Sequence, residues 1–222
     1  MDRFGKLLKY MAMCRILKQN AMALGEVRGK AMANADRMPR IAEADMTAEQ
    51  KKAAEEFRAT RGYAVHGPFA VMMRSPEVML RAMAMGDYLR FRNVLPKRVS
   101  EMAILIAARE WTQQFEWTYH YRYAMEAGLA KTVADAIADG RRPDAMAEDE
   151  AAAYDFSIEL HHRKSVSDAT YARALAQFGE RGIVDLIGIA GYYSFLAMMM
   201  NVARTPAPAD TGGAGPLERF PN

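Results

Sequence analysis

Between Ile183 and Met200 the chain runs 18 residues with a single charged side chain, Asp185. A stretch that long and apolar is a helix hidden on most sides, either spanning a bilayer or threading the centre of a helical protein. Gly188, Gly191, Tyr192, Tyr193 and Ser194 dilute its hydrophobicity, and no second span accompanies it. The central-helix reading is therefore preferred, and no membrane partner is expected. Met102–Ala108 is a second uncharged run, apolar all round, and predicts another central helix. No alternating apolar–polar pattern competes with these helices. The 222 residues include 18 Met and few β-branched side chains, which points to an all-α fold large enough for one sizeable core.

Punctuation divides the rest. Thr47 with Gln50 reads as a capping box opening a helix that Gly62 closes. Gly67-Pro68 breaks the chain, and Ser75-Pro76 starts a helix to about Val94. Further helices are predicted over about 96–111, 114–127, 131–139, 147–163, 168–178 and 183–203. Residues 206–222 are predicted to form a flexible tail, because 205–222 holds four Pro and three Gly. Residues 1–34 form an atypical basic extension, with a weak amphipathic helix around Phe4, Leu7, Leu8 and Met11. Ala31-Met32-Ala33 resembles a signal-peptidase site, but no apolar run of the required length precedes it. A cytoplasmic location is expected, or a periplasmic one if the true start or leader differs. Both ends are expected to be dispensable for folding.

Charge and cysteine content narrow the function. Residues 1–40 hold nine Lys/Arg against three Asp/Glu, a net of +6, so the whole-chain +3 leaves −3 for the other 182 residues. A mildly acidic body makes a nucleic-acid partner unexpected. The only cysteine, Cys14, excludes an intramolecular disulfide and a dithiol redox centre; no catalytic role is expected for it.

The informative stretch is Pro96–Gly128. Glu101 sits at the edge of the apolar run, where an ionised carboxylate must be paired or solvated. Gln113, Glu116, Trp117 and His120 share one face of the next helix. If Glu101 faces them across the helix pair, a carboxylate–imidazole–carboxylate cluster results, able to shift pKa values and supply a general acid and base. The same spacing also fits an ordinary i,i+4 Glu–His surface pair.

The stretch resembles the carboxymuconolactone decarboxylase family, which includes the alkylhydroperoxidase D (AhpD) proteins. Glu101, Gln113, Glu116, His120 and Gly128 fall on the spacing of the peroxidase branch, with Gln113 and Glu116 at its two cysteine positions. The resemblance is to the branch carrying Phe115-Glu116-Trp117-Thr118-Tyr119-His120. It extends from about Gly62 to Thr205 through Gly67-Pro68-Phe69, Ser75-Pro76, Tyr192-Tyr193 and Asn201. It implies an AhpD-like domain over 35–205, built of packed helical hairpins and assembled as a homo-trimer or homo-hexamer. It also implies a small-molecule substrate, no cofactor, and carboxy-lyase activity of the kind found in aromatic catabolism. The missing cysteines argue against thiol peroxidase chemistry.

On this reading Glu116 and His120 carry acid/base roles, and Glu101 orients or tunes His120. Gln113, Trp117, His66, Arg109 and Tyr193 are the expected substrate-binding residues. Arg74 and Arg90 are further arginines that could meet a substrate carboxylate. His66 with Glu101, Glu116 and His120 could complete an oxygen/nitrogen metal site, but the spacing matches no standard zinc or di-iron motif, and no metal is expected. The expected function is a cofactor-independent decarboxylase or related proton-transfer enzyme acting on a small carboxylated or lactone-type compound. A non-catalytic oligomeric small-molecule-binding protein and a metal-assisted hydrolase are the alternatives.

Overall fold

The computed structural model describes residues 35–218. The basic amphipathic segment and Cys14 lie outside them. From Met38 onward the described residues form one compact body. A 3-10 turn at Glu43–Asp45 leads into eight α-helices: α1 Ala48–Arg61, α2 Pro68–Met72, α3 Pro76–Phe91, α4 Lys97–Glu110, α5 Gln114–Glu126, α6 Lys131–Ala138, α7 Glu148–Arg163 and α8 Asp168–Ala203. No strand occurs among the described residues.

Sequence chemistry accounts for most boundaries. The Thr47 hydroxyl accepts from Gln50 N, and Gln50 returns an acceptor to Thr47 N, completing the predicted capping box of α1. Gly62 ends that helix in the left-handed region, at φ 78°. The Gly67-Pro68 break is also a helix start. Pro68 occupies the first turn of α2, where its missing N–H costs nothing, and Gly67 before it adopts φ 56°. A Cβ at Gly67 would lie 2.8 Å from the Phe115 ring, so the backbone there must be bare. The two predicted C-terminal helices run on as α8, with non-helical backbone at Gly179 between them (φ 66°).

The helix carrying Met102–Ala108 is the hub. Every residue from Val99 to Arg109 is buried, and α4 packs against α5, α7 and α8. The apolar run of α8 is long enough to span a bilayer, but 56% of that window is buried inside the protein. Its single charge is satisfied there: Asp185 accepts from the Tyr88 hydroxyl at 3.0 Å and from Val94 N at 2.9 Å.

The tail departs from expectation. Residues 205–218 have no regular structure, as Pro and Gly dictate, yet they are fastened to α5. Leu217 N donates to Gln114 Oε1 at 2.7 Å, Gln114 Nε2 donates to Gly215 O, and Arg109 Nη1 donates to Glu218 O at 2.7 Å. Ala214 is buried in the core. Extended backbone needs partners for its polar groups, and polar side chains of α4 and α5 supply them.

Candidate active site

The α4–α5 hairpin assembles the chemistry. Thr112 turns the chain with φ 44°, a left-handed conformation that disfavours a β-branched residue. Gln113 then caps α5: its Oε1 accepts from Phe115 N at 2.7 Å while its Nε2 donates to Asn201 Oδ1 at 2.8 Å. Asn201 Nδ2 donates in turn to Trp111 O. This latch fixes α5 antiparallel to α4 and brings Glu101 and His120 together.

Glu101 is fully buried, and its Oε2 lies 2.7 Å from His120 Nδ1. Its other oxygen is 2.7 Å from Lys97 Nζ, an ion pair by distance but not in hydrogen-bond alignment. His120 Nε2 is 3.5 Å from Glu116 Oε2, and both side chains are buried. The result is a line running Lys97, Glu101, His120, Glu116.

Burial alone would push Glu101 up, but His120 and Lys97 outweigh it and hold the carboxyl low, at about 2. Burial draws His120 down despite the pull of Glu101. The consistent state is an ionised Glu101 accepting Nδ1–H from a neutral His120, whose Nε2 lone pair faces Glu116. Burial pushes the Glu116 carboxyl up to about 8; Arg90 opposes the rise and Glu101 adds to it. At neutral pH Glu116 is an uncharged acid.

Glu116 and His120 open onto a small pocket. Arg61 and the following Tyr63 and His66 form one side, with Phe69 of α2. Gly86 and Arg90 of α3, Phe115 and Tyr119 of α5, and Tyr192, Tyr193 and Leu196 of α8 complete it. A Cβ at Gly86 would collide with the Tyr192 hydroxyl, so a glycine inside α3 lets that ring reach the wall. The Tyr193 ring stands edge-on to His120, centroids 5.0 Å apart. Burial, with Glu116 and Glu101 nearby, raises the Tyr193 hydroxyl well above its usual range, so it is a neutral donor. His66 Nδ1 lies 3.1 Å from Ala64 O, a carbonyl that can only accept, so Nδ1 donates there.

The pocket therefore gathers Glu116, His120, His66 and Tyr193 of the residues predicted from sequence, with Glu101 behind His120. Three of the expected substrate-binding residues lie outside it. Gln113 has both amide ends committed to the helix cap and Asn201, so it latches the hairpin. Trp117 is turned into the core, 1% exposed, against Tyr121. Arg109 lines a separate cleft with Ile106, Tyr154 and His162 and holds the tail at Glu218. Of the arginines weighed from sequence, Arg74, Arg90 and Arg109, it is Arg90 that lines the pocket, beside Arg61, and sequence alone could not choose it. Arg61 and Tyr63 carried no motif, and Phe69 and Tyr119 stood within quoted motifs without being singled out as site residues; Gly86 inside a helix was a local sign of a close approach. Among the described residues, no group of three or more His, Asp or Glu side chains could hold a metal.

The helical arrangement has counterparts among solved structures. A peroxidase-related protein with an alkylhydroperoxidase AhpD core, from Ralstonia eutropha JMP134, superposes with a TM-score of 0.64 at 15% identity, covering 79% of this chain and 94% of that one. The debrominase Bmp8 in complex with 2,3,4-tribromopyrrole gives 0.62 at 11% identity, over 78% and 92% of the two chains. A protein of unknown function from Agrobacterium tumefaciens, connected with AhpD antioxidant defence, gives 0.52 at 17% identity, over 62% and 95%. The sequence matches no protein-family model and no curated protein. The fold is AhpD-like and all-α.

Proposed function

We propose that the protein is a proton-transfer enzyme of the cofactor-independent decarboxylase kind, acting on a small carboxylated or lactone-type compound. The observation that carries this is Glu116, a carboxyl group kept protonated by burial, at the wall of a small pocket and backed by the Glu101–His120 pair. Such a group is a general acid poised for neutral pH.

In the step, the bond between carbon and the substrate carboxylate breaks and CO2 leaves. The bonding pair passes into a conjugated carbonyl, so one negative charge moves to an enolate oxygen without changing in number. Arg90 can balance that charge at both positions. Glu116 gives its proton to carbon and becomes a carboxylate, and His120 Nε2 lies where it can relay a solvent proton back. The AhpD-like neighbours, one a debrominase in complex with a brominated pyrrole, support a small-molecule substrate.

The protein is also proposed to be a homo-oligomer, a trimer or hexamer. Val184, Ile187, Met198 and Val202 form an exposed apolar stripe along α8, with Val184 65% exposed, and such a stripe calls for cover by a neighbour.

The test is a screen of small carboxylates and lactones read by CO2 release and mass change. Glu116→Gln and His120→Ala should each lower turnover about 10²–10⁴-fold with the circular dichroism unchanged. Full activity in Glu116→Gln would sink the assignment.

A further inference from the structure

Resting on that reading, a narrower substrate class follows from the charges around the pocket. Lys97 is set against Glu101. Arg61, which also lines the pocket, is set against Asp87 at 2.7 Å. Arg90 has no carboxylate in ion-pair range among the described residues. It lies instead against aromatic faces, 4.7 Å from the Tyr123 centroid and 5.2 Å from that of Tyr119. Aromatic faces hold a guanidinium in place but do not neutralise it. With Glu116 uncharged, Arg90 is the one unbalanced charge among the described groups of the pocket. Burial works against the Arg90 cation, and Tyr193, Tyr119 and Glu101 hold it charged; an anion on Arg90 would supply the full opposite charge that none of the nearby side chains places in contact with it.

We infer that the pocket selects a small planar monoanion, a single-ring or conjugated carboxylate held by Arg90 between aromatic walls, over both its neutral analogue and the corresponding dianion. One negative charge makes the site neutral. A second would sit uncompensated near Glu101, and would oppose ionisation of Glu116 without gaining a cation. Aromatic rings line the pocket, Tyr63, Phe115, Tyr119 and Tyr193 among them, and favour a flat conjugated ligand.

The proton and the anion are linked. The groups facing Glu116 are His120 on its own helix, Glu101 on α4, Arg90 on α3, and Tyr192 and Tyr193 on α8. An anion that engages Arg90 removes the cation opposing protonation of Glu116, so binding secures the acid that the reaction consumes.

Calorimetry on the full chain with benzoate, benzamide and phthalate tests this. Benzoate is expected to bind about tenfold or more tightly than benzamide, and more tightly than phthalate. Arg90→Gln should abolish the preference for benzoate, and Arg90→Lys should keep part of it. In buffers of different ionisation heat, benzoate binding near pH 8, where Glu116 is half ionised, should take up a fraction of a proton; Glu116→Gln should take up none. Benzamide binding as well as benzoate, phthalate binding more tightly, or benzoate failing to bind at millimolar concentration would overturn the inference, and none of these needs a variant. Benzoate selected without proton uptake would overturn the proton-donor reading and leave the anion site standing.

Discussion

Glu116 and Glu101 are carboxylates close in space with opposite fates, and their surroundings decide which is which. Glu101 has a cation and an N–H donor; Glu116 has an imidazole lone pair and aromatic walls. Linkage gives each a sign. Glu116 holds its proton to about 8 in the folded state against an ordinary 4.5. Between these values unfolding releases a proton, so its burial cost is absent at low pH and fully felt above about 8. Glu101 acts the other way: its contribution is present above its ordinary value and is lost as pH falls toward about 2. Unfolding curves of wild type and Glu116→Gln, taken across pH, should therefore diverge in favour of the variant as pH rises from about 4.5 to about 8, by a few kcal/mol. Parallel curves would show that Glu116 titrates normally. The cluster of Glu101, Glu116 and His120 was legible because helical spacing puts Glu116 and His120 one turn apart and the apolar run places Glu101 beside them. Trp117 shares that spacing but lies one residue further around the helix, enough to turn it into the core.

Helices whose ends are written in short-range chemistry were readable: Thr47 with Gln50, Pro76 after Ser75, and Gly62 all stand where the elements begin or end. α2 was not, because Gly67-Pro68 is equally a loop signal and a helix start, and only the contact with Phe115 decides. The tail was misread for a related reason. Composition reports that a segment cannot form a helix; it does not report whether Gln114 and Arg109 wait to receive it. Truncation after Thr205 removes three hydrogen bonds to the α4–α5 hairpin and the buried Ala214. It should lower stability by about 2 kcal/mol in urea denaturation. An unchanged midpoint and slope would return the tail to the status of an ornament.

At the scale of the whole molecule, the pocket is built from segments far apart in sequence. α1, α3, α5 and α8 each supply one or more walls, and no local pattern announces that Arg90 will stand at the same pocket as Glu116. The two long apolar runs determine the architecture: α4 must be enclosed, α8 must lie along it, and the remaining helices cover what is left. The site forms near the N-terminal end of α4, beside the buried Glu101, where the α5 face meets α8. Low dielectric around a carboxyl group is thus a product of the fold's central packing, and the chemistry proposed depends on it.

The most direct measurement is infrared titration of the Glu116 carboxyl, with Glu116→Gln as the difference reference. A protonated carboxyl band should be present at neutral pH, vanish with a midpoint near 8, and be missing from the variant. A band already lost at neutral pH, with a midpoint in the ordinary carboxylate range of about 4–5, would contradict the account at its centre.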